Sequence, residues 1–161
     1  MLSHSVERLL PYEPAHLFDL VADVERYPEF LRWWVSARVS KHGAEVYYTD
    51  QLLGFGPVRF SFRSKTVLHR PERIDVTSNQ SPFRQFHLHW VFQPVAERRC
   101  VVQLTTAIEF NSALVQRLVD RALPLAAAEI VSAFEDRADR LYADRSGGVD
   151  CRAGASGRRD S

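Results

Sequence analysis

The sequence has little cysteine, little net charge and no long apolar run, and each shortage excludes a class of protein. Its two cysteines, Cys100 and Cys151, give neither a disulfide framework nor the spacing of a metal-binding motif. The 21 Lys and Arg residues are balanced by 20 Asp and Glu residues, so the overall charge gives no argument for a nucleic-acid partner. No stretch approaches the roughly 18 consecutive apolar residues of a membrane span, and the N-terminus lacks the pattern of a secretory signal. We therefore expect a cytoplasmic protein.

The chain divides into a long periodic part and a short polar tail. Residues 1–144 contain no linker composition, and we interpret them as one domain with a single hydrophobic core. Residues 145–161 are small, polar and almost without apolar side chains that could offset the entropy lost on ordering. We predict that this tail is disordered.

Alternation of apolar and polar residues dominates the middle of the chain. It predicts seven strands, at residues 3–10, 34–40, 45–53, 58–68, 74–78, 86–93 and 101–110. Short connections between the later strands favour an antiparallel meander. After the first strand, apolar residues at helical spacing predict a short helix that opens at Pro14 and ends at the aromatic turn around Pro28.

A long amphipathic helix, from about Ser112 to Tyr142, follows the last strand. Ser112 is a good N-cap, while Pro124 predicts either a kink near Leu123 or two abutting helices. One helix has to cover a whole sheet. We therefore predict an α+β fold, in which a curved seven-stranded antiparallel sheet wraps around the C-terminal helix, with an apolar ligand between the two.

The inward faces of the strands and helix define a candidate ligand site. Its sheet wall comprises Phe60, Phe62, Phe86, Trp90 and Phe92. Its helix wall comprises Leu118, Ala122, Ala126, Ile130 and Phe134. Any one of these side chains is more safely read as core, but together they form a large apolar and aromatic surface.

Two histidines, His87 and His89, share one face of a predicted strand. Their spacing is compatible with a metal ion, but no third Cys, His or carboxylate ligand is evident nearby in the sequence. We favour a solvated pair and predict no metal site.

Signs of catalysis are few. Gly54 and Gly56 lack the third glycine and following helix of a phosphate-binding loop, and no nucleophile triad is recognisable. Asp50 and Glu109 could act as acid and base in a cavity, but alternation places Glu109 on the solvent face. We predict no catalytic residues and a protein that is not an enzyme.

Four short segments, in a fixed order, carry a family resemblance. They are Tyr27-Pro28-Glu29-Phe30-Leu31, Phe55-Gly56-Pro57-Val58, Ser81-Pro82-Phe83-Arg84 followed by Trp90-Val91-Phe92, and Ala133-Phe134-Glu135-Asp136-Arg137-Ala138. Through them, about residues 3–142 resemble the coenzyme Q-binding protein family of the START-like polyketide cyclase superfamily, which also contains bacterial ribosome association toxins. The sequence departs from the family at Arg32-Trp33-Trp34, which could narrow the cavity mouth, and at Ser81, where the family usually has glycine.

The resemblance implies the helix-grip fold and a START-like lipid-binding domain over residues 1–144. It implies binding of ubiquinone or a related prenylated quinone between sheet and helix, in support of respiratory electron transport, with no further cofactor. The toxin branch implies an alternative, a ribosome-binding protein that blocks association of the ribosomal subunits. A polyketide cyclase-like enzyme is a third alternative.

Two surfaces bear on partners. A basic outer sheet face could meet ribosomal RNA or anionic lipid, although such faces are usually only solvated; it comprises Arg59, Arg63, Lys65, His87 and His89. A crowded aromatic loop suits either a membrane interface or burial against the first helix; it comprises Tyr27, Pro28, Phe30, Leu31, Trp33 and Trp34. A peripheral contact with the inner membrane is therefore a further expectation.

Overall fold

A computed structural model describes residues 3–55 and 57–143. Its strands are β1 (Ser3–Leu10), β2 (Trp34–His42), β3 (Val46–Phe55), β4 (Val58–His69), β5 (Arg73–Ser78), β6 (Phe83–Ala96) and β7 (Arg99–Phe110). They form one antiparallel sheet in the order β1-β7-β6-β5-β4-β3-β2. The predicted meander is confirmed, and β1 lies at the edge beside β7. The predicted tail, residues 145–161, lies outside the described residues.

Helices connect β1 to β2 and follow β7. They are α1 (Pro14–Ala22), a 3-10 helix (Val24–Glu29), α2 (Ala113–Ala138) and a π-helical turn (Asp139–Ala143). The Ser112 hydroxyl accepts a hydrogen bond from the Val115 amide at 3.3 Å, which confirms the predicted N-cap. α2 runs unbroken through Pro124, so the alternative of two abutting helices is wrong. The helix-grip fold is confirmed.

The C-terminal half of α2 is packed tightly onto the sheet and α1. Phe134 meets Trp90 edge to face with ring centroids 5.1 Å apart, and Phe18 of α1 meets Phe92 at 5.9 Å. Ala127 and Ala138 are fully buried, because residues this small let the helix backbone approach its neighbours. This end of the sandwich is dense core.

The aromatic loop before β2 is largely buried. Tyr27, Leu31 and Trp34 are 8 %, 2 % and 8 % exposed, and the Tyr27 ring lies edge-on to Phe134 at 5.3 Å. Phe30 also packs edge-on to Phe134, at 5.1 Å. Of the two interpretations of this loop, burial is therefore the better one, and these rings anchor the 3-10 helix to α2.

A short polar row crosses the buried face of β2, β3 and β4. Trp34 Nε1 donates to Gln51 Oε1 at 2.7 Å, and Gln51 Nε2 donates to the Ser64 hydroxyl at 2.7 Å. Both bonds are buried, so the Trp34 indole N–H and the Gln51 amide, which left water on folding, each have a partner. Gln51 thus fixes Trp34 at the position where β2 begins.

Ser81 stands where the family usually has glycine, but its backbone does not need a positive φ. Among the described residues other than glycine, Arg98 alone has a positive φ, of 56°. Ser81 therefore does not adopt the left-handed conformation that favours glycine.

Candidate functional site

A cavity of about 200 Å³ lies between the sheet and the middle of α2, from Leu118 to Ile130. Its walls are Trp33, Trp34, Leu53, Phe60, Phe83, Phe86, Leu88, Thr106, Ile108, Phe110, Leu118, Val119, Ala122, Leu123, Ala126, Ala127 and Ile130. None of these side chains is titratable. The Thr106 hydroxyl donates to the His4 carbonyl at 3.4 Å, and Trp34 Nε1 is engaged by Gln51. The cavity therefore suits a ligand segment that needs no hydrogen bonds.

Four phenylalanines form the end of the cavity on the sheet. The Phe83 ring lies 4.9 Å from both Phe86 and Phe110, and Phe60 lies 5.3 Å from Phe110. All four are at most 7 % exposed. They come from β4, β6 and β7, so the regular strands hold this wall rigidly.

The helix side of the cavity is built from small residues and ends in an opening. Ala122 and Ala126 are too short to fill the space that α2 spans above the sheet. Leu118 lines the cavity and is 62 % exposed, whereas Ala126 is 6 % exposed. The cavity therefore opens to solvent beside Leu118 and is closed beside Ala126.

The structure brings six of the ten predicted site residues to this cavity. They are Phe60, Phe86, Leu118, Ala122, Ala126 and Ile130. Phe62 is not among the lining residues and packs against Phe83 and Phe86, with ring centroids 4.8 Å and 5.0 Å apart. Trp90 and Phe134 line a separate void of about 30 Å³, and Phe92 is buried near α1. The structure does not bring these last four to the wall of this cavity. Ligand contact stays a prediction for all ten residues.

The family assignment follows from residues 10–135, which match the polyketide cyclase / dehydrase and lipid transport family. The chain belongs to this family. It is 32 % identical over 134 residues to the ribosome association toxin RatA of Pseudomonas aeruginosa, covering 83 % of this chain and 93 % of the relative. It is 28 % identical over 141 residues to the mitochondrial coenzyme Q-binding protein coq10 of Schizosaccharomyces pombe, covering 84 % and 85 %. The resemblance identified from the four segments is confirmed.

The fold of this family member agrees with a solved START superfamily protein from Mycobacterium smegmatis. The two superpose with a TM-score of 0.70 at 14 % identity, over 86 % of this chain and 98 % of the other. At this identity the comparison shows the fold alone. The START-like helix-grip class is confirmed.

The cavity residues that the prediction omitted lie mainly toward one end of the sheet. They include Leu53, Phe83 and Phe110, together with Trp33 and Trp34 at the start of β2. Period-two alternation places Leu88, Thr106, Ile108 and Phe110 on the inward face, but it does not indicate how far along each strand the helix crosses. Phe83 was missed because the predicted strand began at Phe86, whereas β6 begins at Phe83.

The family's name includes cyclases, but the two candidate acid-base residues lie away from the cavity. Arg63 Nε donates to Asp50 Oδ1 at 2.8 Å on the outer face, and this hydrogen bond lowers the pKa of the Asp50 carboxyl. Glu109 lies 3.7 Å from Arg84. Neither carboxylate lines the cavity, so the acid-base pair considered from the sequence is not assembled there.

The outer basic face is partly neutralised. Arg63 is paired with Asp50, and both His87 and His89 contact Asp75. Asp75 lies on β5, so it had not been recognised as a neighbour of the two histidines. The expectation that no third ligand lies nearby was wrong.

The N-terminal half of α2 exposes apolar side chains beside the cavity opening. Leu114, Leu118 and Leu125 are 70 %, 62 % and 75 % exposed. Arg117 and Arg121 are exposed on the same helix. Within the described residues, no helix combines the length and hydropathy needed to cross a bilayer.

Proposed function

We propose that the chain binds a prenylated quinone, with the isoprenoid tail in the cavity between the sheet and α2. The observation that carries this proposal is the chemistry of the walls. They offer apolar and aromatic surface and no titratable group, and the polar atoms of Trp34 and Thr106 are already engaged within the protein. An isoprenoid chain needs such an environment, whereas the carbonyl oxygens of a quinone ring gain more at the opening, where water is available.

Family relationships support a lipid ligand. The family description includes lipid transport, and the S. pombe relative is named as a coenzyme Q-binding protein. Neither relationship by itself selects a quinone for this chain, and ubiquinone is proposed as the ligand because that name and the apolar cavity agree.

The volume of the cavity requires a movement of α2. The cavity has a volume of about 200 Å³. Pockets that enclose drug-sized ligands are larger, with volumes of about 300–1,000 Å³. The C-terminal half of α2 is fixed by Phe134 and by the buried Val131 and Ala138, whereas the N-terminal half exposes three leucines. We expect the N-terminal half to move away from the sheet when a tail enters.

The opening is also suited to a membrane surface. Leu114, Leu118 and Leu125 can enter the interfacial region of a bilayer, while Arg117 and Arg121 provide positive charge for anionic headgroups. A peripheral contact of this kind would let a tail pass between bilayer and cavity without crossing water. Leu118→Asp should weaken sedimentation with phosphatidylglycerol-containing vesicles, whereas Val95→Asp, an exposed apolar position on β6, should not.

Organic extraction tests the proposed ligand. Protein purified from its native host, without detergent, should release a compound with quinone absorbance that is bleached by borohydride, and its mass should identify the prenyl length. Heat-denatured protein washed before extraction is the control for adsorbed lipid. Extracts without quinone, together with failure of added ubiquinone to bind the delipidated protein, would count against the proposal.

Binding to the ribosome is the second candidate function, and the 32 % identity to RatA favours it. It would work through the outer face of the sheet rather than through the cavity. Arg59→Glu with Lys65→Glu should then weaken ribosome binding steeply, because phosphate contacts supply most such affinity. The same pair should leave quinone binding unchanged, because both side chains lie on the solvent face of β4.

A catalytic role has less support. The described cavity walls carry no acid or base, and the two curated relatives named above are called a toxin and a binding protein. We therefore propose a binding protein rather than a cyclase, and addition of a polyketide substrate should yield no turnover.

A further inference from the structure

Three side chains on the outer face of the sheet converge on one point. Asp75 of β5 pairs in register with His89 of β6, and His87 lies two residues earlier on the same strand and the same face. His87 Nε2 lies 3.0 Å from Asp75 Oδ1, and His89 Nδ1 contacts the same oxygen. The possible metal-ligand atoms of the three side chains all lie within 4.8 Å of one another. No other group of three His, Cys, Asp or Glu side chains among the described residues meets this condition.

We infer that Asp75, His87 and His89 form a binding site for a divalent transition-metal ion of the Zn²⁺ class. Two imidazoles and one carboxylate are ligands that such ions prefer. In a tetrahedral site with bonds of about 2.0–2.1 Å, neighbouring ligand atoms lie about 3.3 Å apart. The three atoms in this structure need only small side-chain movements to reach that spacing around an ion.

The backbone around the group supports this assignment. β5 and β6 are adjacent inner strands of the sheet, so their hydrogen-bonded ladder fixes the Cα positions of all three residues. Their side chains are 27 %, 38 % and 34 % exposed, so an ion could enter from solvent and keep water at its open positions. The register neighbours on the same face, Thr77 opposite His87 and Thr105 opposite His89, are short and polar and leave room for that water.

The site is independent of the quinone cavity. It lies on the solvent face of the sheet, whereas Leu88 between the two histidines points to the cavity on the other face. The bound ion would bridge β5 and β6 and would present open coordination positions next to the outer groove, which His87, Lys65 and Arg63 line. The ligand that this site takes is the metal ion itself.

Calorimetric titration of the full chain with Zn²⁺ tests the site. The protein should carry no affinity tag and should first be freed of metal with a chelator. We expect one equivalent of Zn²⁺ to bind, and Co²⁺ to give visible absorption bands of a site with nitrogen and oxygen ligands. His87→Ala, His89→Ala and Asp75→Ala should each weaken binding by more than about 100-fold, the upper end of what loss of a supporting group costs.

His69→Ala and Asp50→Ala are the matched controls, because each removes a similar group from the same sheet outside the site. Both should bind Zn²⁺ as the unaltered protein does. Circular dichroism and melting temperature without metal establish that each variant is folded; if Asp75→Ala does not fold, Asp75→Asn takes its place. Absence of stoichiometric binding, or binding that survives in the variant lacking both histidines, overturns the assignment.

Discussion

Arg137 of α2 donates a hydrogen bond from Nη2 to Glu29 Oε1 at 2.7 Å, and its guanidinium lies 5.1 Å from the centre of the Phe30 ring. Its side chain is 14 % exposed, which is low for an arginine. The two residues belong to two of the four segments that carry the family resemblance. Their contact joins the aromatic loop to the C-terminal half of α2, the half that stays fixed if the other half moves.

This contact leads to a prediction about stability. Arg137→Ala should lower the free energy of unfolding by about 1.5–3 kcal/mol, because it removes a charge-assisted hydrogen bond and a cation–π contact from a mostly buried position. Arg70→Ala is the control: Arg70 forms a similar pair with Asp19, but both side chains are more than half exposed, and such pairs contribute little. Urea unfolding measures both. Equal losses would show that burial does not set the strength of the Arg137 pair.

The sequence was sufficient to predict the strands, the meander and the inward and outward faces of β4, β6 and β7. These follow from period-two alternation and from short connections, which are local properties. It was not sufficient to tell whether Trp90 and Phe92 line the cavity or the closed core, because both environments are apolar. Where α2 crosses the sheet depends on small residues such as Ala127 and Ala138, and on how the helix packs against β strands distant in sequence.

The same limit explains why Asp75 was not predicted as a neighbour of the two histidines on the outer face. The pair His87 and His89 was visible from spacing, but Asp75 lies 12 and 14 residues away and becomes a neighbour only through the register of β5 with β6. A cross-strand partner of this kind can be found only once the register is known.

The polar row at Gln51 gives a second prediction. Gln51→Leu keeps a similar volume but leaves the Trp34 indole N–H and the Ser64 hydroxyl without this partner in the interior. The free energy of unfolding should fall by about 1–3 kcal/mol for each group left unsatisfied. The double variant with Ser64→Ala should be less destabilised than the sum of the single variants, because one unsatisfied group is removed. Additive losses in urea unfolding would mean that the two residues are not coupled.

Tyr47 gives a prediction about alkaline pH. Its hydroxyl donates to the Ala22 carbonyl at 2.7 Å, and burial raises its pKa to about 12. The folded state therefore holds the phenol neutral, and the corresponding stability is fully present below pH 10 and is lost as the pH rises from 10 through 12. Between pH 8 and pH 11 the unaltered protein should lose about 1.4 kcal/mol more stability than Tyr47→Phe, the cost of one pH unit of linked ionisation. Identical losses in urea unfolding at the two pH values would contradict this assignment.

Ala126 provides the last prediction, which concerns the cavity itself. Its side chain points into the cavity from α2 and is 6 % exposed. In Ala126→Trp, the indole should occupy the space that we assign to the isoprenoid tail. We expect a folded protein whose melting temperature changes by a few degrees and whose ubiquinone binding is lost, measured by tryptophan quenching and by extraction.

Two variants on the same helix make this result interpretable. Asp136→Trp adds the same ring at an exposed position of α2 away from the cavity and its opening, and should leave quinone binding intact. Ala138→Trp adds it where the helix is packed on the core with 0 % exposure, and should destabilise the protein severely, because a close-packed interior rejects added volume at a cost of at least about 1–3 kcal/mol. If Ala126→Trp behaves like Ala138→Trp, the space beside Ala126 is ordinary core. If it is folded and still binds ubiquinone fully, the tail lies elsewhere in the molecule.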